Sequence, residues 1–220
     1  MKDVAASADL MQLTAADVKS AAALSAIFGW PHRSEDWALM INMGRGLKLE
    51  MNGKLCGTIM WWPLGNGHVT IGMIMVSRHM QGHGIGTRLL NAAIAENGGM
   101  ILRLNATPEG MALYRHSGFE STGVISQNQG IASVPVVSMS NCGFAGQYAR
   151  EQIILYDEQM TGLKRAQILG VLLKVSDIAV ATGTDGKLTG YALCRVFGKG
   201  RVIGPVVAND LETARGLIAL

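Results

Sequence analysis

The stretch VSRHMQGHGIGTRLL, from Val76 to Leu90, decides how the rest of the chain is read. Gly82, Gly84 and Gly86 alternate with other residues just before a run in which Ile85, Leu89, Ala92 and Ala93 recur at helical spacing, until Asn97-Gly98-Gly99 ends it. An apolar segment precedes the glycines, so the order is strand, glycine-rich loop, helix. Such a loop is a ready anion site. The first N–H groups of a helix lack partners, the helix dipole favours negative charge there, and glycine removes the Cβ atoms that would keep a phosphate off the backbone. The dinucleotide fingerprint spaces its glycines Gly-x-Gly-x-x-Gly after the first strand of a βαβ unit, whereas here the spacing is Gly-x-Gly-x-Gly. Thr87 and Arg88 follow Gly86, so there is no Walker lysine. Taken alone, the loop fits a tight connection with no ligand equally well.

Working upstream, three strands are expected at Leu47 to Met51, Leu55 to Trp62 and Val69 to Val76. The turn signals Asn52-Gly53 and Gly65-Asn66-Gly67 separate them, which predicts an antiparallel meander. Before these lie two helices. One starts at Thr14-Ala-Ala-Asp17, a capping-box pattern, and stops at Gly29 and Pro31; the other starts at Ser34 and ends at Gly44. Downstream, Met100 to Ala106 reads as a strand, and Thr107-Pro108 supplies a helix N-cap with proline at the first helical position. That helix runs to about Gly118. Residues 120–140 are β-prone but broken by Gly123, Gly130 and Pro135.

The second half echoes the first. Asn52-Gly-Lys-Leu-Cys-Gly57 returns as Asp185-Gly-Lys-Leu-Thr-Gly190, and GMIMV from Gly72 returns as GPVVA from Gly204. A helix at Leu163 to Leu173 and another from about Leu211 complete a repeated unit of helix, three strands and helix. We therefore divide the chain into residues 1–140 and a partial second unit, 141–220. The copy differs at the loop, going from Val207-Ala-Asn-Asp210 straight into its helix, and it stops before any counterpart of Met100 to Phe119.

Composition narrows the class. In 220 residues, 49% are hydrophobic and 16% charged, too apolar for a disordered chain and enough for a sizeable core. The net charge of +3 is spread as 10 Lys+Arg against 9 Asp+Glu up to residue 140 and 9 against 7 beyond it, so no basic stripe points to nucleic acid. Cys56, Cys142 and Cys194 are odd in number and lack a Cys-x-x-Cys pair, which argues against a disulfide framework or a zinc knuckle. No run of about 18 apolar residues occurs, so no membrane span is expected and the default compartment is the cytoplasm.

The residues also carry a family resemblance. IMVSRHMQGHGIGTRLL resembles motif A of the GNAT N-acetyltransferases, Arg/Gln-x-x-Gly-x-Gly/Ala, with Gln81, Gly84 and Gly86 in place. About thirty residues on, LNATPEGMALYRHSGF is similar to the family's next strand and helix, with Leu113, Tyr114, Gly118 and Phe119 matching its Leu-Tyr-x-x-x-Gly-Phe ending. Gly190-Tyr-Ala192 and Ile203-Gly-Pro205 resemble the second part of a two-part subgroup. The resemblance implies an α/β GNAT fold, a mixed and mostly antiparallel sheet flanked by helices, followed by a partial GNAT-like unit.

It implies acetyl-CoA as cosubstrate, its diphosphate on Gln81, Gly82, His83, Gly84, Ile85, Gly86 and Thr87, with Arg88 beside them, and its pantetheine arm along Ile74, Met75 and Val76. It implies transfer to an amine, small or peptide-borne, by direct attack, since no cysteine sits in a motif position. Tyr114 is the expected proton donor to the leaving thiolate, and a backbone N–H near Val76 the expected oxyanion partner. For the base, His68 is the candidate, placed by period-two alternation on the face of Thr70, Gly72, Ile74 and Val76; Glu50 ranks below it. Trp61 or Trp62 is a candidate for the acceptor wall. The other reading is a non-catalytic acetyl-CoA-binding or sensing module, and a homo-oligomer stays open.

Overall fold

The computed structural model describes residues 9–131, 141–145 and 150–220, which fall into two compact units, 1–127 and 128–220. In the first, β1 (Asp9–Gln12), β2 (Arg45–Met51), β3 (Lys54–Gly65), β4 (His68–Val76) and β5 (Ile101–Leu104) form one sheet in chain order. All neighbours are antiparallel except β4 and β5. The meander is as the turn signals predict. Asn52 and Gly53 have φ of 52° and 71°, and Asn66 and Gly67 have 49° and 74°, the left-handed pairs that a two-residue hairpin turn requires. Strand β1 is an addition that the sequence reading did not contain.

Helices α1 (Val18–Ile27) and α2 (Ser34–Met43) cover one face of this sheet and α3 (Ile85–Glu96) the other. The capping box of α1 is formed: Thr14 N–H donates to Asp17 Oδ2 at 2.8 Å, and the Thr14 hydroxyl to the same oxygen at 3.0 Å. Burial pushes the Asp17 carboxyl up, but hydrogen bonds from Lys48 Nζ and Thr14 outweigh it and hold it below the usual range. Leu24 and Trp37 pack with Met60 and Met75 on this side, while Ile85, Leu89 and Leu90 of α3 pack with Ile59, Val69 and Ile71 on the other. A last helix, α4 (Met111–His116), follows a single tight turn at Pro108–Gly110.

One irregularity in β4 matters for the site. Thr58 pairs with Met75 and Met60 with Gly72, so a single β3 residue, Ile59, faces two on β4, Met73 and Ile74. This bulge changes which face each side chain takes. Val69 and Ile71 before it, and Ile74 and Val76 after it, all lie on the α3 side, while Met73 and Met75 lie on the α1–α2 side. Met73 adopts φ of 52°, unusual for a residue with a side chain.

The second unit holds a four-stranded antiparallel sheet, β6 (Cys142–Phe144), β7 (Asp177–Thr182), β8 (Leu188–Phe197) and β9 (Gly200–Ala208), with α5 (Arg150–Thr161), α6 (Ala166–Val175) and α7 (Leu211–Ile218). Within its largely apolar core it buries one polar cluster. Buried Asp157 receives Arg165 Nε at 2.8 Å, Arg165 Nη2 at 2.6 Å and the Tyr191 hydroxyl at 2.6 Å. The repeat is visible in the bulge. Ala192 pairs with Val206 and Cys194 with Ile203, so Gly204 and Pro205 face Leu193. Of the β-prone residues 120–140, those up to Ile131 form no strand, and 132–140 lie outside the described residues.

Candidate functional site

Parallel pairing of β5 with β4 covers only His68 to Ile71 and ends at Ile71↔Leu104. Beyond it β4 continues to Val76 with no strand on that side among the described residues, and a cleft of about 1040 Å³ opens there. Ile74, Met75 and Val76 line it, with Gln81, Gly82, Gly84, Ile85, Gly86 and Thr87 at one end and Tyr114 on the wall. Ten of the sixteen candidates named from the sequence thus share one cavity.

The loop end has the features of an anion cradle. Gly84, at φ of 78°, is the N-cap of α3 and offers no side-chain cap, and the helical ladder begins with Arg88 N–H donating to Gly84 O at 2.9 Å. The N–H groups of Ile85, Gly86 and Thr87 precede that ladder and are the donors a diphosphate would use. A Cβ on Gly82 or Gly84 would meet nothing within 4 Å, so the missing side chains leave open space for a ligand. The side chain of Ile85 is buried in the core, so only its backbone can serve. Gln81 is engaged structurally: its Nε2 donates to Val76 O at 3.1 Å, tying the loop to the strand end.

Tyr114 sits half-buried on α4, edge-on to Phe119 at 6.2 Å between ring centroids. Its hydroxyl has no hydrogen-bond partner among the described residues, and burial pushes its pKa up, so the phenol keeps its proton at neutral pH. The site also uses residues that sequence reasoning passed over: Phe28 and Trp30, at the end of α1, together with Met73, Arg78 and Glu109. Glu109 is held below the usual carboxylate range by hydrogen bonds from its own N–H and from Thr107.

Six of the named candidates are not on the cleft lining. His83 turns to the backbone, with Nδ1 2.9 Å from Gln81 O, and Arg88 lies one turn into α3. His68 is the larger correction. It begins β4, six residues and roughly 20 Å before Ile74. The bulge also inverts the alternation, so His68 does not share the face of Ile74 and Val76. Glu50 is engaged by Lys48 Nζ at 2.7 Å, Trp61 is buried in the α3-side core, and Trp62 donates to Met40 O at 3.0 Å. Phe28 and Trp30 line the cleft instead. Cys56 is buried, and burial raises its thiol pKa.

The corresponding places in the second unit lack this chemistry. Asp210 caps α7 with its own carboxylate, accepting from Thr213 N–H at 2.7 Å, where a bound phosphate would meet like charge. No group of three or more His, Cys, Asp or Glu is placed to hold a metal among the described residues, and no described helix is long and apolar enough to cross a membrane.

Comparison with known proteins finds one family in both halves of the chain. Residues 44–121 match the model of an acetyltransferase (GNAT) domain, and residues 153–220 match a second model of the same description, together more than half of the chain. An uncharacterized N-acetyltransferase of Bacillus subtilis, YitH, is 27% identical over 198 residues, covering 86% of this chain and 69% of that protein. A Pyrococcus horikoshii protein with acetyltransferase in its name superposes with a TM-score of 0.77 at 17% identity, over 97% of this chain and 75% of its own. An Enterococcus faecalis protein of unknown function, named a probable N-acyltransferase, gives 0.59 at 16% identity, over 96% and 61%. With a GNAT domain matched in each half and a fold shared along nearly its whole length, the chain belongs to the GNAT acetyltransferases as a two-part member.

Proposed function

We propose that the first unit binds acetyl-CoA in the β4–β5 cleft and catalyses acetyl transfer to a primary amine, small or peptide-borne, by direct attack. The observation that carries this is a juxtaposition. The uncapped start of α3, the unpaired length of β4 and the protonated Tyr114 phenol open into one cavity. The bare N–H groups of residues 85–87 fit a diphosphate without a metal, and Ile74 to Val76 fit a pantetheine arm lying as an added strand. Acetyl-CoA supplies an activated acyl group on a good leaving thiolate.

The chain's own groups do the rest. Tyr114 holds a proton for the departing sulfur, and a β4 backbone N–H stabilises the oxyanion. Phe28 and Trp30 exclude water from the acceptor side, where a neutral amine is the better nucleophile. Glu109, ionised at neutral pH, attracts the ammonium form of the acceptor. The buried, high-pKa Cys56 gives no route to an acetyl-enzyme.

A panel of small amines and N-terminal peptides, assayed for acetyl-CoA-dependent thiol release, tests this reading. Turnover with at least one amine is expected. Tight acetyl-CoA binding with no turnover across the panel would favour a sensing module instead.

A further inference from the structure

Thr58 is fully buried, and its hydroxyl donates to the carbonyl of Met73 at 2.8 Å, across the bulge in β4. Met73 and Ile74 share one planar peptide group, in which C=O and N–H point in opposite directions. Drawing the Met73 carbonyl toward Thr58 on β3 therefore turns the Ile74 N–H away from β3. That is the side of β4 where β5 has already ended and the cleft opens. Met73 itself sits at φ of 52°, a conformation that persists only when its surroundings hold it there.

We propose that Thr58 is a positioning residue for acyl transfer, its hydroxyl fixing the Met73–Ile74 peptide so that the Ile74 N–H faces the carbonyl of the bound acyl group. This rests on the acetyl-transfer reading of the cleft. The second unit supplies an internal control. Its bulge forms beside Ala192, which has no hydroxyl, so the bulge as a folding element does not need one. There the second bulged residue is Pro205, which has no N–H to aim.

The test pairs Thr58→Val, which keeps the shape and removes the donor, with Thr58→Ser, which keeps the donor. In Thr58→Val, kcat should fall between about tenfold and a hundredfold, while the acetyl-CoA Kd and the amine KM stay within about twofold. Thr58→Ser should restore most of kcat. Backbone hydrogen exchange over residues 72–76 should quicken in Thr58→Val and not in Thr58→Ser, with the rest of the sheet unchanged. Thr58→Ala replaces Thr58→Val if the latter does not fold.

Wild-type kcat in the folded Val or Ala variant would overturn the proposal, as would a Ser variant no better than Val. Equal loss of kcat, affinity and thermal stability would overturn it too, since it would mark Thr58 as a packing residue only. If wild-type protein acetylates no amine, the transfer reading fails by itself, and the exchange measurement still reports whether Thr58 fixes the bulge; unchanged exchange would refute that.

Discussion

The ring of Tyr114 rests against the bare Cα of Gly110: a Cβ built on Gly110 would lie 2.8 Å from Tyr114 Cε2 and 3.3 Å from its hydroxyl oxygen. Gly110 has φ of −82°, which any residue adopts, so its lack of a side chain serves the ring and not the backbone. Gly110→Ala should push the phenol out of place and lower kcat on the order of tenfold. The same change in a Tyr114→Phe background should have little further effect, a coupling that a double-mutant cycle on kcat measures.

Tyr114→Phe keeps the ring and removes the proton. We expect kcat to fall by roughly 10²–10⁴ with acetyl-CoA affinity unchanged by calorimetry. Because burial raises the phenol above its ordinary pKa of about 10, the wild-type rate should hold as pH rises through neutrality and decline only above about pH 10. The Phe variant should show no such decline. A descending limb that survives the substitution assigns it to another group.

Gly84→Val places a branched side chain in the open space above the start of α3, at a φ of 78° that valine resists. Loss of one charge-assisted hydrogen bond is worth about 1.5–3 kcal/mol, so acetyl-CoA should bind at least about tenfold more weakly. Calorimetry checks the affinity, and circular dichroism checks that the fold is retained. An unchanged Kd in folded protein would remove the loop from the site.

Arg165→Met leaves Asp157 buried with the Tyr191 hydroxyl and no cation. Breaking such a pair costs about 3–5 kcal/mol. Hydrogen exchange along β7 and β8 should quicken accordingly.

How far the sequence could be read depended on how local each signal is. Gly82, Gly84 and Gly86 announce the loop because glycine at a helix start is a one-residue cue, and Asn52-Gly53 fixes a hairpin in the same way. The β4 bulge has no such cue. Gly72-Met-Ile-Met-Val76 reads as unbroken strand, and the left-handed residue is Met73, held by a threonine fifteen positions earlier. One extra residue reversed the alternation, and the placement of His68 failed with it. Phe28 and Trp30 stand beside Gly29 and Pro31, so they read as the end of a helix, when they also form a wall. Helix α5 escaped notice because its buried face includes Asp157, whose partners lie on other elements.

The unpaired length of β4 has a further consequence for handling the protein. Backbone groups along β4 that have no strand partner among the described residues can accept an extended chain, so the cofactor-free protein presents an edge on which a neighbour can stack. In the proposed binding mode, a pantetheine arm in that place would act as a stopper. Storage with acetyl-CoA at a hundred times its Kd adds about 2.7 kcal/mol of stability by mass action and occupies the exposed edge as well. Light scattering on standing should therefore grow faster in stripped samples than in saturated ones.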